Sequence, residues 1–202
     1  LTHCEDDAIV RSRTEALLAA GETGPGAYPR SRPIPAEVAA ITRVLALAEV
    51  AKAPLYVVHI STARGAEALR AARARGQRAY GETCPQYLLL TEVAYGRPGF
   101  EAAKFVCAPP LRAVMDNTAL WKALARDDVQ VVATDHCPFN FAGQKELGRD
   151  DFTQIPGGLP SIELRLSLAY GFGVVAKRLS LPRWVEICCT APARLFGLYP
   201  RK

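Results

Sequence analysis

The sequence predicts an α/β fold with a parallel sheet, corresponding to about half of an eight-stranded (β/α)8 barrel, or four βα units. Short apolar runs alternate with stretches of helical spacing, and several of the runs end on polar residues. Of the 202 residues, 50% are hydrophobic and 22% are charged, a balance that supports a buried core. A small doubly wound sheet is the alternative, although no Gly-rich phosphate-binding turn follows any predicted strand.

The first half of the chain contains three predicted strands and three predicted helices. In order, we predict a strand ending at 1–2, helices at 6–20 and 35–53, a strand at 55–59, a helix at 63–75 and a strand at 77–83. Gly21 and Gly76 follow helices directly, where glycine commonly ends them. Pro35 suits a first helical turn, and Ser61 or Thr62 can cap the third helix.

The second half is predicted to continue the same alternation. We predict a short strand at 104–107, a helix from Asp116 or Asn117 to about 126, a strand at 131–133, a helix at 158–176, and closing helices at 184–189 and 191–198. Ile162, Leu166 and Tyr170 share one side of the predicted 158–176 helix, so we expect that side to pack inward.

A long polar loop separates the last predicted strand from the 158–176 helix. Loops of this length in a compact domain are usually functional or disordered. Phe139, Phe141 and Phe152 argue for order, because three large apolar rings need a surface to pack against.

Charge and cysteine usage limit the classes of partner. The net charge of +5 comes from arginines scattered along the chain, which indicates solvated helix faces and no nucleic-acid partner. The six cysteines form no CxxC pair, so we expect free thiols, with Cys188-Cys189 on a buried helix surface. No signal peptide or transmembrane run is present, and we predict a cytoplasmic protein without a membrane partner.

Polar side chains stand where three predicted strands end. His3, His59 and Asp135 occupy these positions, and the carboxyl ends of parallel strands meet at one mouth of a barrel. Imidazoles with a carboxylate suit a divalent transition metal, zinc first, with iron, cobalt or manganese as alternatives. We therefore predict these three residues as metal ligands, and Asp135 as the catalytic group that takes a proton from water. The competing interpretation is that strand-end histidines only hydrogen-bond loops.

Three other residues at or after predicted strand ends are weaker candidates for the site. His136 is expected to point away from Asp135 and to be structural or to orient a ligand. Cys137 follows in the loop and is expected to be structural. Glu82 either orients a ligand or pairs with an arginine. These patterns indicate metal-assisted hydrolysis and do not identify a substrate.

Longer motifs resemble one known family. The matching stretches are His3-Cys4-Glu5, Val57 to Ser61, Gly81 to Leu88, Pro109 to Arg112, and Asp135 to Phe141 with Gly143 to Gly148. Together they resemble the dihydropyrimidinase/D-hydantoinase family, cyclic amidohydrolases with a metal-dependent TIM barrel, over essentially the whole chain. The combination of Gly81 to Leu88 with Asp135 to Gly148 distinguishes this family from dihydroorotases and allantoinases.

The resemblance implies a site with two divalent metals, bridged by a hydroxide and a carboxylated lysine. It places His3 and His59 on one metal and Asp135 on the other, with Asp135 as the proton shuttle. The hydroxide would open the ring amide to give an N-carbamoyl amino acid. Ala108 and Gly157 stand where the family usually has Ser and Asn, at positions that hold the ring's amide edge through main-chain groups. We expect these departures to affect ring preference.

The resemblance also implies that residues 1–202 form a partial catalytic barrel domain. The family's N-terminal barrel half, with a His-x-His pair, the lysine and a substrate-facing tyrosine, is expected upstream, and β-sandwich strands are missing at the other end. The parent is expected to be a homotetramer, and the isolated chain to be weakly active or inactive. Two alternatives are a non-catalytic scaffold of the collapsin response mediator type, which has lost metal ligands, and an allantoinase- or dihydroorotase-like enzyme. Retention of His3, His59 and Asp135 favours an enzyme over the scaffold.

Overall fold

A computed structural model describes residues 1–201 as an α/β fold around a parallel sheet. Strands β1 (Leu55–Val57), β2 (Ala79–Thr83) and β3 (Val131–Val132) lie side by side in chain order. Both strand pairs are parallel, so each connection must cross over with a helix. The predicted α/β class and parallel sheet are confirmed.

The predicted first strand is reduced to a single bridged residue. Thr2 forms a parallel bridge with Val57, its N–H donates to Tyr56 O at 3.0 Å, and Val58 N–H donates to Thr2 O at 3.2 Å. The residue after Thr2 therefore emerges at the same edge of the sheet as the residues that follow β1.

The helices surround this sheet and vary widely in length. They are α1 (Asp7–Ala19), α2 (Tyr28–Ser31), α3 (Ile34–Ala51), α4 (Ala63–Ala74), α5 (Pro85–Leu89), α6 (Val114–Ala125), α7 (Arg165–Ala169), α8 (Leu181–Val185) and α9 (Ala191–Leu195). Short 3-10 helices span Pro25–Ala27, Glu92–Gly96, Glu101–Phe105, Lys145–Gly148 and Phe152–Gln154, and π-helical segments span Tyr170–Val175 and Glu186–Thr190. None of the helices described within residues 1–201 is long and apolar enough to cross a membrane.

The longer helices are fixed by capping and by apolar packing. Asp6 accepts a hydrogen bond from Ile9 N–H at the start of α1, and the Thr62 hydroxyl accepts from Gly65 N–H at the start of α4. Ile41 of α3 and Leu120 of α6 are fully buried and join the core cluster beside the sheet. The predictions for these helices are confirmed within a few residues.

The predicted strand at 104–107 is wrong. This segment ends a 3-10 helix, Glu101–Phe105, and Val106 N–H donates to Ala103 O instead of to a neighbouring strand. Val106 and Cys107 are buried, and Val106 O accepts from Gly158 N–H and Lys145 Nζ, so their apolar pattern does not reflect a position in the sheet.

The predicted cap of α6 is also wrong. The helix begins at Val114 with Ala113 as its N-cap, and neither polar residue of the first turns caps it. Asp116 accepts from Ala63 N–H at 2.8 Å, and Asn117 donates to the carbonyls of Tyr87 and Leu90. Both side chains therefore serve neighbouring segments and not their own helix.

The predicted helix at 158–176 is shorter, and its apolar side was assigned wrongly. Only α7 is α-helical, and the chain continues as a π-helical segment after Ala169. Ile162, Leu166 and Tyr170 are 65%, 43% and 44% exposed, so they do not form a core face. Gly173 packs inward instead, where an added Cβ would meet Leu179 and Trp121 at 3.0 and 3.1 Å.

The closing helices differ from the prediction in a similar way. The segment predicted as 184–189 begins earlier, as α8, and passes into the π-helical segment Glu186–Thr190. This geometry turns the two adjacent cysteines to different environments, so Cys188 is buried but Cys189 is exposed. The expectation that both lie on a buried surface is wrong for Cys189.

The long loop after β3 is ordered by its aromatic rings. Phe152 is buried, with its ring centroid 6.4 Å from that of Tyr28, and Phe141 packs 6.0 Å from Phe100. Phe139 lies beneath the ammonium of Lys145 at 5.5 Å. Packing of the three rings agrees with the prediction of an ordered loop.

Candidate active site

Two histidines that are distant in sequence meet at the carboxyl ends of the strands. His3 follows the bridged residue Thr2, and His59 lies two residues after β1. His3 Nδ1 lies 3.0 Å from His59 Nε2, and the ring centroids are 4.7 Å apart in an edge-to-face arrangement. The sheet therefore brings together two of the three predicted metal ligands.

His59 is the more buried imidazole of the pair. Its side chain is only 7% exposed, and its Nδ1 atom is buried without a hydrogen-bond partner among the described residues. Burial, reinforced by the neighbouring His3, lowers the pKa of His59, while the charge of Asp135 acts in the opposite direction. A neutral ring with an available lone pair is the form that binds metals.

His3 is held from its other side by a carboxylate. Glu5 Oε2 lies 3.0 Å from His3 Nε2, and the Glu5 side chain is 2% exposed and paired with Arg32. Burial raises the pKa of Glu5, but the hydrogen bond from His3 and the charge of Arg32 outweigh it and hold that pKa below its ordinary value. An ionised Glu5 orients the His3 ring, as carboxylates commonly do for metal-binding histidines.

The loop after His59 is fixed by a buried acid from α3. Glu37 is 1% exposed and accepts hydrogen bonds from both the backbone N–H and the hydroxyl of Ser61 and of Thr62. Arg112 Nη2 lies 3.6 Å from Glu37 and is the buried counter-charge. Burial raises the pKa of Glu37, opposed by Arg112 and by the Ser61 hydrogen bonds. Nothing in the sequence pattern of α3 distinguished this acid from a surface glutamate.

Two predicted site residues share an uncommon backbone conformation. His59 has φ of 40° and Asp135 has φ of 47°, both in the left-handed region that side chains with a Cβ rarely adopt. Such residues cost on the order of 1–3 kcal/mol each and cluster at functional sites. This feature supports a functional role for both positions, and it cannot be inferred from residue type.

Asp135 is placed near the pair but does not complete a cluster with it. It follows β3 and is half-buried, and its charge opposes the burial that lowers the pKa of His59. Within residues 1–201, no group of three or more His, Cys, Asp or Glu side chains is arranged to hold a metal. The described residues therefore supply a two-imidazole pair with a carboxylate nearby.

The pair nevertheless fits a divalent metal chemically. Two ring nitrogens point at one another across 3.0 Å, one ring is neutral and buried, and the other is oriented by Glu5. Imidazole nitrogens of this kind are typical ligands of zinc and related ions. His3 and His59 are thus two residues that could hold a metal.

The remaining polar candidates have structural partners. His136 Nδ1 accepts from the backbone N–H groups of Ser161 and Ile162 at 3.0 and 3.2 Å, as expected of a structural residue. Cys137 is exposed in the loop. Glu82 accepts a 2.7 Å hydrogen bond from the Tyr56 hydroxyl. It pairs with no arginine among the described residues, so the second of its two predicted alternatives is wrong.

The two predicted substrate-binding positions lie beside each other. A Cβ added at Gly157 would lie 3.5 Å from Ala108 N and 3.0 Å from the Tyr28 hydroxyl. Tyr28 is buried, and burial raises its pKa to about 12, so its hydroxyl remains a hydrogen-bond donor. Sequence reasoning missed Tyr28, because it lies in a Pro/Gly-rich stretch without a recognisable motif.

The fold and site define a parallel α/β protein whose candidate chemistry stands at the carboxyl ends of its strands. Comparisons with known proteins make this more specific. The chain is 47% identical over 202 residues to a D-hydantoinase of Streptomyces coelicolor, covering all of this chain and 43% of the relative. It is 44% identical over 201 residues to a D-phenylhydantoinase of Escherichia coli O1:K1, covering 99% of this chain and 43% of the relative. No protein-family model matches the chain.

A solved structure agrees with the sequence relatives. The crystal structure of dihydropyrimidinase from Brevibacillus agri superposes with a TM-score of 0.98 at 46% identity, over 99% of this chain and 43% of that one. Over the part it shares with these relatives, the chain is similar in sequence and structure to D-hydantoinases and a dihydropyrimidinase, which confirms the resemblance found in the sequence. The chain spans less than half the length of these relatives.

Proposed function

We propose that the chain is part of a metal-dependent hydrolase that opens dihydropyrimidines or 5-substituted hydantoins to N-carbamoyl amino acids. The observation that carries this proposal is the meeting of His3 and His59 at the strand ends, 3.0 Å apart between ring nitrogens. It occurs in a chain that is 47% identical to a D-hydantoinase and 46% identical to a dihydropyrimidinase of solved structure. These two relatives support the two ring classes.

The complete protein in this proposal is a (β/α)8 barrel, to which residues 1–202 contribute the second half. Sequential parallel strand order supports it, because each βα unit of a barrel lies beside the next. Coverage of only 43% of the relatives supports a longer working protein. The other half would supply the remaining ligands, including the carboxylated lysine implied by the resemblance. We further propose a cytoplasmic homotetramer, for which light scattering of the complete protein is the test.

We assign His3 and His59 to one divalent ion and Asp135 to a second, with Zn²⁺ as the first choice and Mn²⁺, Co²⁺ or Fe²⁺ as alternatives. Bound there, the ions would lower the pKa of water and stabilise negative charge on the ring carbonyl oxygen. Glu5 would keep His3 in its ligand orientation, since it already bonds the far ring nitrogen.

Asp135 carries the proton transfers in this proposal. Its carboxylate accepts a proton as water attacks the ring amide carbonyl, and returns that proton to the ring nitrogen as the carbon–nitrogen bond breaks. One water is consumed, and the single product carries a new carboxylic acid, which ionises by releasing a proton, and a carbamoyl group whose terminal nitrogen is the former ring nitrogen. The main-chain groups at Ala108 and Gly157 would hold the ring's amide edge, which is supported by their proximity, since a Cβ added at Gly157 would lie 3.5 Å from Ala108 N.

The test uses the complete protein with dihydrouracil, hydantoin and 5-phenylhydantoin, with detection of the N-carbamoyl products. We expect ring opening of at least one substrate, lost on metal removal and restored on metal addition. A well-folded, metal-free complete protein that opens none of them would overturn the proposal in favour of a non-catalytic scaffold. We also expect little or no ring opening by residues 1–202 alone, because the site lacks ligands.

A further inference from the structure

Lys145 is a buried lysine whose ammonium is bound only by backbone carbonyls. It lies in the 3-10 helix Lys145–Gly148 and is 3% exposed. Its Nζ donates to Pro156 O at 2.7 Å, to Val106 O at 2.8 Å and to Gly158 O at 3.0 Å. These three bonds use every donor that an ammonium has. No carboxylate pairs with it in the part of the chain that the structure describes.

A buried ammonium without a carboxylate partner is expensive and needs an explanation. Lysine is almost never fully buried unless it is paired, because its charge loses the solvation of water. Burial lowers the pKa of Lys145 to about 8, against the smaller opposing effects of Cys107 and Cys137. The three carbonyl dipoles and the Phe139 ring are its favourable contacts. A methionine would fill the same space without this desolvation cost, so packing alone does not account for a lysine here.

The three carbonyls belong to the two segments that meet at the candidate ring site. Pro156 and Gly158 flank Gly157 on both sides, and Val106 lies two residues before Ala108. Gly158 N–H also donates to Val106 O at 3.0 Å, so this one oxygen joins both segments and the ammonium. Lys145 thus hydrogen-bonds the Val106 segment, which leads to Ala108, and both residues that flank Gly157.

Because a peptide bond is planar, holding the Pro156 carbonyl oxygen also fixes the direction of the Gly157 N–H group. The peptide bond between Pro156 and Gly157 is trans, so its C=O and N–H point in opposite directions. When Pro156 O is held by the buried ammonium, Gly157 N–H points away from Lys145, and Gly157 itself is exposed. Glycine tolerates almost any φ, so without such a hold this peptide plane could rotate readily.

We propose that Lys145 is a positioning residue for substrate: it fixes the Gly157 peptide plane against the Ala108 segment, so that main-chain groups face the ring's amide edge. This inference rests on the proposed function for the identity of the ring. It assigns Lys145 no contact with substrate and no proton transfer, and its effect is on ring binding.

The test compares Lys145→Met with Lys122→Met in the complete protein, using dihydrouracil. Lys122 is exposed on α6, so it controls for loss of a lysine charge. We expect Lys145→Met to raise KM at least tenfold with kcat changed less than about threefold, and Lys122→Met to match the wild type. A folded Lys145→Met enzyme with wild-type KM would overturn the inference. A fall in kcat of about tenfold with KM unchanged would also overturn the inference.

A second measurement applies even if Lys145→Met does not fold. In the wild type, NMR of labelled lysine gives the titration midpoint of Lys145, and KM for dihydrouracil is measured across the same pH range. The ring nitrogens of dihydrouracil stay protonated in this pH range, so ionisation of the substrate does not contribute to the change in KM. We expect KM to rise at that midpoint, because a neutral amine has only two N–H donors for three carbonyls. A flat KM through the midpoint would contradict the inference, whereas a wild type that opens no ring would refute the proposed function itself.

Discussion

The Glu37→Ala substitution tests how the loop after His59 is held in place. Glu37 accepts hydrogen bonds from the backbone and hydroxyl groups of Ser61 and Thr62, the residues that follow the His59 turn. It is also the counter-charge of Arg112, which is 5% exposed and has one nitrogen, Nη2, without a hydrogen bond. Removing the carboxylate therefore leaves a buried cation and two buried backbone donors without a partner.

Removal of one member of a buried ion pair costs about 3–5 kcal/mol, because the remaining charge stays desolvated. Each buried donor left without an acceptor adds about 1–3 kcal/mol unless water enters the space. Arg112 retains its bonds to the Ser61 hydroxyl and to Arg32 O, which limits the loss. Water that enters the space left by the side chain can satisfy the two backbone donors, so the ion-pair cost remains and we expect Glu37→Ala to lower the free energy of unfolding by about 4 kcal/mol.

Urea unfolding followed by circular dichroism measures this loss. With a urea slope of about 2 kcal/mol/M, the midpoint should fall by about 2 M. The control is Glu49→Ala, an exposed glutamate of the same helix, which should stay within about 0.5 kcal/mol of the wild type. A Glu37→Ala protein within 1 kcal/mol of the wild type, by the same ~2 kcal/mol/M slope, would refute the role given to this network.

Two further substitutions test the candidate site and its loop. Asp135→Ala should lower kcat of the complete protein by several orders of magnitude in a dihydrouracil assay, and a fall of less than about tenfold would remove Asp135 from proton transfer. Gly158→Ala should destabilise the fold by about 2 kcal/mol or more in thermal unfolding, because the new Cβ would overlap the Cys137 backbone and lie 2.7 Å from its Cβ. Gly96→Ala, whose Cβ meets nothing within 4 Å, is the control, and equal stability of the two variants would contradict the close packing.

Local sequence patterns predicted the elements that depend on one short segment. The cap at Thr62, the end of α4 before Gly76 and the proline in the first turn of α3 all follow from capping rules and residue preferences. Convergence of His3 and His59 also followed, because parallel strands end at a common edge whatever their separation in sequence.

The predictions of secondary structure, capping and burial were wrong where contacts between distant segments determine the local structure. The apolar pattern at Val106 and Cys107 was interpreted as a strand, but these buried residues follow a 3-10 helix and pair with no strand. Asp116 had the right residue type to cap α6, but the helix begins at Val114, and the Asp116 carboxylate accepts from Ala63 N–H of α4 instead. Lys145 resembled an ordinary surface lysine, because its three carbonyl partners come from segments with no local pattern linking them.

The central claim is that His3 and His59 hold a divalent metal together, and metal content tests it most directly. We would purify the complete wild-type protein and its His3→Ala, His59→Ala and His136→Ala variants in parallel, and measure bound metal per chain by elemental analysis. His136 is the matched control, since it lies at the same edge of the sheet but its Nδ1 is bonded to the Ser161 and Ile162 backbone. We predict that the first two variants lose metal and that His136→Ala keeps the wild-type content. Equal metal content in all four folded proteins, or a wild type that binds none, would contradict the account.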